Sequence, residues 1–288
     1  MKEITLKAHG KINLALHVGA RRADGYHELS SVMQSVGLCD EISVAKNLSS
    51  RVTVRSDSAA VPCGAENIAV RAAELMREKF SIADGLDIFI KKRIPIGGGM
   101  AGGSTDAAAV MHAFDALFGL GAGIDSLCAL GSTIGADVPF CLHSGCALAE
   151  GIGERLTAVR PPAARSIVLI NPNIFVSTGR IFGLMDNKPE RRYSDCSALA
   201  SALDGSNLKA ACGCMTNDMQ PFTAALHPVI YEITEKLKRA GALAAIMSGS
   251  GATCFGIFDR EADTEKIRSE YPDFFIEETF PVKNRQCP

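Results

Sequence analysis

The chain has 288 residues, a hydrophobic fraction of 47% and a formal net charge of −2. That length and apolar content supply one large domain or two of ordinary size. The near-neutral balance excludes the strong overall field of a general nucleic-acid or anionic-membrane binder.

The opening "MKEITLKAHGKINLALHV" interrupts every apolar run with charge and does not read as a secretory signal. "EITLKA", "KINLALHV", "EISVAK", "RVTVR" and "LDIFIKKRI" alternate or carry β-branched residues and predict strands. One helix, 66–80, interrupts them, and two more follow at 105–118 and 125–134. Paired prolines in "AVRPPAARS" (158–166) mark a linker, predicting domains over 1–160 and 161–288. Beyond it, "SIVLINP" is a strand and 196–203 and 227–240 are helices. The uncharged stretch 240–258 has "SGSGAT" at its centre, poor sequence to face lipid, and reads as strand, glycine turn, strand. "EADTEKIRSEYP" is a last helix and "FFIEETFPV" a last strand. The irregular alternation predicts an α+β fold. Ten cysteines show no metal spacing beyond the close pair Cys212 and Cys214, and the six histidines form no HExxH. Free thiols in a reducing cytoplasm, and no protein-held metal, are the expectation.

The stretch "RIPIGGGMAGGSTDAAAV" places five glycines in a seven-residue window ahead of a helix-forming run. Glycine loses the most freedom on folding, so such a cluster implies turns of positive φ or backbone lying close to a ligand. Loop, hydroxyls and helix start together form an anion site, with backbone N–H groups and the helix dipole facing negative charge. A Walker A loop is excluded because no lysine follows Gly103. Gly97, Gly99 and Gly102 match a dinucleotide fingerprint, but the next element is a helix and not the strand that would carry a ribose-binding acid.

In "KINLALHVGARRADGYHEL", alternation puts Lys11 and Asn13 on the same strand face, about 6.6 Å apart. The Asp-Gly turn that follows concentrates two arginines, Tyr26 and His27. In "GADVPF", Asp137 closes a helix, and Val138 before Pro139 is expected to be extended, presenting the carboxylate at a chain reversal.

The glycine loop resembles that of the GHMP kinases. The order "KINL…RRADGYHEL", "PIGGGMAGGSTDAAA", "GADVPF" and "MSGSGATCF" most closely resembles the 4-diphosphocytidyl-2-C-methyl-D-erythritol kinase family among them. The resemblance implies an N-terminal domain like ribosomal protein S5 domain 2 and a ferredoxin-like C-terminal domain. It implies transfer of the ATP γ-phosphate to the C2 hydroxyl of a cytidine diphosphate methylerythritol, with Mg2+ carried by the nucleotide. Asp137 would accept the hydroxyl proton, and Lys11 would hold Asp137 ionised and neutralise the phosphoryl group in flight. The nucleotide phosphates would lie in the loop formed by Pro95, Ile96, Gly97, Gly98, Gly99, Met100, Ala101, Gly102, Gly103, Ser104 and Thr105. Ser104 and Thr105 would be hydroxyl donors or magnesium contacts, and Asn67 would sit on the adenine side. Tyr26 and His27 would recognise cytidine, Phe182 would stack on cytosine, and Asn13 would reach the methylerythritol unit. The "SGSGAT" turn would close over the phosphate loop. Ala101, where many members have glycine, requires a negative φ; Asp106, where some have asparagine, either binds metal or caps the helix. The resemblance implies no nucleic-acid or membrane partner and predicts no oligomer. Two other readings on the same scaffold are a diphosphomevalonate decarboxylase and a non-catalytic nucleotide-binding regulator. The "DGYHEL" block speaks against the first, and retention of both Lys11 and Asp137 against the second.

Overall fold

The computed structural model describes residues 3–187 and 194–283. In chain order the elements are β1 (Glu3–Arg21), β2 (His27–Asn47), β3 (Val52–Ser56), α1 (Ile68–Phe80), β4 (Gly85–Lys91), α2 (Gly102–Phe118), α3 (Ile124–Ser132) and α4 (Val138–His143). Then come β5 (Cys146–Gly151), β6 (Arg155–Ala158), β7 (Ser166–Asn171), α5 (Thr178–Asp186), α6 (Cys196–Asp204), α7 (Leu208–Cys214) and α8 (Gln220–Leu226). The chain ends in α9 (Val229–Arg239), β8 (Ala244–Met247), β9 (Cys254–Phe258), α10 (Thr264–Glu270) and β10 (Phe275–Thr279).

Contacts gather the described residues into two compact units, and the chain passes between them more than once. The first draws on Met1–Gly10, Cys39–Ile96 and Ala101–His143; the second on Lys11–Leu38, Gly97–Met100 and Ser144–Pro288.

In the first unit, the C-terminal half of β2 pairs antiparallel with β4, from Glu41 opposite Lys91 to Asn47 opposite Gly85, and β3 joins β4 in parallel. α1 begins where the Asn67 side chain accepts from the Ala69 amide, and it ends at Ser81 in the left-handed conformation. It packs on α2, and both helices bury small side chains, Ala69, Ala72 and Ala73 on one and Ala107, Ala108 and Ala109 on the other.

In the second unit, the N-terminal half of β2 pairs with β5, and β5 with β6. A separate antiparallel sheet has the order β10-β7-β9-β8, and every residue of β7, β8 and β9 is buried. α9 turns Ile230, Ile233 and Leu237 into this core at helical spacing. The mixture of helices and mostly antiparallel sheet is the expected α+β class.

Two local expectations are corrected. "EITLKA" and "KINLALHV" form one strand, which continues through Gly10. Val138 is helical, not extended, in the first turn of α4. A proline there forfeits no helical hydrogen bond, because first-turn N–H groups have no intrahelical acceptor, and burial of Val138 outweighs the local preference. The helices α4, α5, α7 and α8, of 6, 9, 7 and 7 residues, were not expected from the sequence.

Among the described residues, no helix is long and apolar enough to cross a membrane. Nine cysteines are free thiols, and Cys287 lies outside the described residues. Burial pushes the thiols of Cys128 and Cys212 up to about 11 and that of Cys146 to about 12, so they stay protonated and unreactive.

Candidate active site

In the second unit, Lys11 and Asn13 share a face of β1, as alternation predicts, but that face is buried, leaving them only 5% and 2% exposed. Lys11 Nζ donates to Asn13 Oδ1 at 2.7 Å, and Asn13 Nδ2 donates to Ser31 Oγ at 2.8 Å. Ser31 Oγ passes its own hydrogen to the Ala15 carbonyl at 2.7 Å. The buried ammonium thus donates to an amide that is itself bonded onward to a hydroxyl, in keeping with the rule that buried polar groups be partnered.

The same face carries the first part of the glycine loop. The Lys11 amide donates to the Met100 carbonyl at 3.1 Å, and the Thr253 amide to the Gly98 carbonyl at 3.2 Å. Ser248 Oγ donates to the Gly99 carbonyl at 2.9 Å and accepts from the Asn13 amide at 3.2 Å. A Cβ on Gly99 would stand 2.3 Å from the Ser248 carbonyl oxygen, and φ there is +76°. Glycine is required at this point for both reasons. The 248–253 turn therefore lies on the loop, as the resemblance implied. Asn217 braces the turn, donating through Nδ2 to the carbonyls of Met247 at 2.7 Å and Gly249 at 2.9 Å.

The second part of the loop belongs to the first unit. Ala101 stands at the N-cap of α2 with φ +56° and ψ 32°, and no side chain caps the helix. The expected negative φ at Ala101 is overturned. The turn into α2 needs a left-handed residue, which alanine adopts at a cost of about 1–2 kcal/mol. Gly102, Gly103, Ser104 and Thr105 make the first turn, whose amides have no side-chain acceptor from the cap. Thr105 Oγ1 donates to the His9 carbonyl at 2.7 Å, so its hydrogen is already committed; Ser104 is half-buried. Pro95 is half-buried and Ile96 exposed.

Asp106 neither caps α2 nor joins a metal cluster. Its Oδ2 accepts from Lys92 Nζ at 2.8 Å, and the same ammonium donates to Asp40 Oδ2 at 2.6 Å. Asp40 is wholly buried and also accepts the amides of Arg93 at 2.6 Å and Ile94 at 2.9 Å. Two carboxylates thus share one lysine. Burial above all, with the charge of Asp40 adding, pushes the Asp106 carboxyl up to about 8 against the pull of Lys92. Among the described residues, no group of three or more His, Cys, Asp or Glu side chains is placed to hold a metal ion.

Asn67 lies at the N-cap of α1. Its Oδ1 accepts from Ala69 and its Nδ2 donates to the Pro62 carbonyl at 2.6 Å, so the side chain serves the helix start. Asp137 is half-buried in the link between α3 and α4, and its carbonyl accepts the Cys141 amide at 3.0 Å.

Tyr26 is 59% exposed at the tip of the Asp-Gly turn, while His27 is buried at the start of β2. The turn's arginine at 22 pairs with its neighbours Asp24 and Glu28. His27 stacks on Phe182, with centroids 4.7 Å apart, and its Nε2 lies 2.7 Å from Asp186 Oδ1. Sequence reasoning missed Asp186, although its place one helical turn after Phe182 was a usable signal. It also missed Asp218, whose buried carboxylate takes Ser194 Oγ at 2.7 Å and stands 2.8 Å from His17 Nδ1. No spacing in the sequence could join residues 200 positions apart.

Models of the GHMP kinases N terminal domain and the GHMP kinases C terminal match residues 67–145 and 199–277. A 4-diphosphocytidyl-2-C-methyl-D-erythritol kinase of Alkaliphilus oremlandii is 39% identical, with 98% of this chain and 97% of that one covered. The chain belongs to the 4-diphosphocytidyl-2-C-methyl-D-erythritol kinase family of the GHMP kinases. The kinase of the same name from Geobacter metallireducens is 42% identical over 91% of this chain and 92% of its own. A crystal structure of a 4-(cytidine 5'-diphospho)-2C-methyl-D-erythritol kinase superposes with a TM-score of 0.77 at 30% identity, covering 96% of this chain and 99% of that one. The mevalonate kinase of L. major reaches 0.74 at 15% identity with 98% of each chain covered, a likeness of fold alone. This family places the chain among ATP-dependent kinases.

Proposed function

We propose that this chain transfers the γ-phosphate of ATP to the C2 hydroxyl of 4-diphosphocytidyl-2-C-methyl-D-erythritol, giving the 2-phosphate and ADP. The reaction belongs to the methylerythritol phosphate route to isoprenoid precursors, and we place it in the cytoplasm. Residues 1–160 correspond in this reading to the ATP-binding domain and 161–288 to the C-terminal domain. The observation that carries it is the Lys11–Asn13 pair, buried and tied through Ser248 to the carbonyl of Gly99. A buried ammonium at a phosphate loop has a use in neutralising a phosphoryl group in flight.

Phosphoryl transfer needs positioning and charge stabilisation more than covalent help. The amides of the loop and of the first turn of α2 cradle the nucleotide phosphates, with Ser104 as the uncommitted hydroxyl. The charge of the nucleotide would be offset by the Mg2+ it carries. Lys11 neutralises the transferred group, and Asp137 accepts the hydroxyl proton. Asn13 contacts the methylerythritol unit, and Tyr26, His27 and Phe182 hold the cytidine. Asn67 shapes the adenine side through the start of α1.

The test is ADP release with a panel of sugars, mevalonate, diphosphomevalonate and cytidine diphosphate alcohols, with the product identified. Phosphorylation of the cytidine diphosphate methylerythritol alone is the expected result. Carbon dioxide from diphosphomevalonate, or no turnover with any alcohol, would overturn the proposal.

A further inference from the structure

α5 carries two residues one helical turn apart, Phe182 and Asp186, and both meet the imidazole of His27. The two rings lie 4.7 Å apart with only 13° between their planes. Asp186 Oδ1 stands 2.7 Å from Nε2 of the same imidazole. The His27 side chain is 6% exposed, while that of Asp186 is 33% exposed. The i and i+4 positions of a helix share one face, so a single short helix supplies both contacts.

These contacts do different things. Stacking on Phe182 fixes the plane of the ring but leaves open which edge faces which way. The bond to Asp186 fixes that edge. An ionised carboxylate only accepts, so Nε2 carries the proton, and in the neutral imidazole the lone pair then sits on Nδ1.

We propose that Asp186 is a positioning residue for base recognition, holding His27 in the orientation and tautomer that offers Nδ1 as an acceptor. An acceptor there favours a pyrimidine with an exocyclic amino group over one with a keto oxygen in its place. Asp186 thereby contributes to the choice of a cytidine over a uridine diphosphate alcohol. The inference rests on His27 being a base contact, as read under the proposed function. Discrimination of this kind follows from leaving a buried polar group unpaired with the wrong ligand.

The experiment compares the parent with Asp186→Ala and Asp186→Asn, using ATP, the cytidine diphosphate substrate and its uridine counterpart with the same alcohol. In Asp186→Ala, KM for the cytidine substrate should rise roughly tenfold, the scale of one lost charge-assisted hydrogen bond. KM for ATP should stay within about twofold, and preference for cytidine over uridine should shrink. Asp186→Asn, whose side-chain oxygen still accepts, should recover part of both effects. Nitrogen-15 NMR of the parent should show the His27 proton on Nε2, a readout that survives even if a variant fails to fold. Unchanged KM and base preference in a folded Asp186→Ala chain, or a spectrum with the proton on Nδ1, would overturn the inference. A parent inactive on the cytidine alcohol would overturn the functional reading first.

Discussion

Lys11 Nζ donates to Asn13 Oδ1 at 2.7 Å within a face of β1 where both side chains are buried. Two residues apart on a strand is the shortest spacing that lets two side chains point the same way. Lys11→Met keeps the stem and removes the charge. Phosphoryl transfer should fall by about 10²–10³, the scale of one preorganised stabilising group, while ATP still binds. A single-turnover rate with bound nucleotide checks this, and a parent-like rate would remove Lys11 from the chemistry.

Asp137→Asn keeps the size of a half-buried side chain and removes a base. The transfer step should slow by about 10² or more, with ATP affinity and thermal stability close to the parent's. The decisive comparison is kcat against nucleotide affinity measured on the same preparation. Normal turnover in the folded variant would leave the proton acceptor to be sought elsewhere.

The glycine loop gives a pair of predictions of opposite sign. At Gly99, a valine would set its Cβ against the Ser248 carbonyl at a φ that branched residues avoid, so ATP affinity should drop sharply. At Ala101 the strain is already present, with φ +56° on a residue with a side chain. Ala101→Gly should therefore stabilise the protein, by up to about 1 kcal/mol once glycine's larger entropy loss is counted. Thermal melting of both variants, with and without ATP, reads the outcome. A lower melting point for Ala101→Gly would show that the left-handed turn costs this chain nothing.

The contrast between those two residues marks how far the sequence could be read. Gly99 was legible as a glycine of a tightly approached loop, because residue type and spacing both pointed there. The φ of Ala101 was not, because the turn geometry overrides the preference of the residue in it. Alternation likewise placed Lys11 and Asn13 on one face, but it could not say that this face is buried beneath the 248–253 turn. That depends on pairing residues more than 200 positions apart. Asp106 was read through its place in the glycine-loop motif, yet it bonds to Lys92, just past the end of β4, which also bonds to Asp40 of β2, and only the fold joins them.

Asp106 carries the pH prediction. Its folded carboxyl is pushed up to about 8 by burial, whereas in an unfolded chain it ionises near 4. Between about pH 4 and pH 8 the folded state holds a proton that the unfolded state has released. This group's contribution is thus fully present below about pH 4 and is lost as pH rises through about 8. Asp106→Asn carries no such proton and should flatten that fall. The melting temperature of the variant relative to the parent should climb from pH 6 to pH 9. A constant difference across that range would mean that Asp106 is ionised when folded, with Lys92 outweighing burial.

Tyr26 and His27, the proposed base contacts, sit in different surroundings. Tyr26 is 59% exposed, whereas His27 is stacked on Phe182 and bonded to Asp186. Tyr26→Ala should weaken the cytidine substrate by about 5- to 150-fold, the usual worth of a base stacked on one aromatic ring. His27→Ala should cost at least as much, because it removes its own contact and also frees Phe182 and Asp186, which it now holds together. Both should leave ATP affinity nearly unchanged. Separate titrations with the cytidine substrate and with ATP test this. A Tyr26→Ala protein that loses ATP affinity instead would put the Asp-Gly turn on the nucleotide side. A His27→Ala protein that binds the cytidine substrate as the parent does would show that the stack with Phe182 serves the fold and not the base.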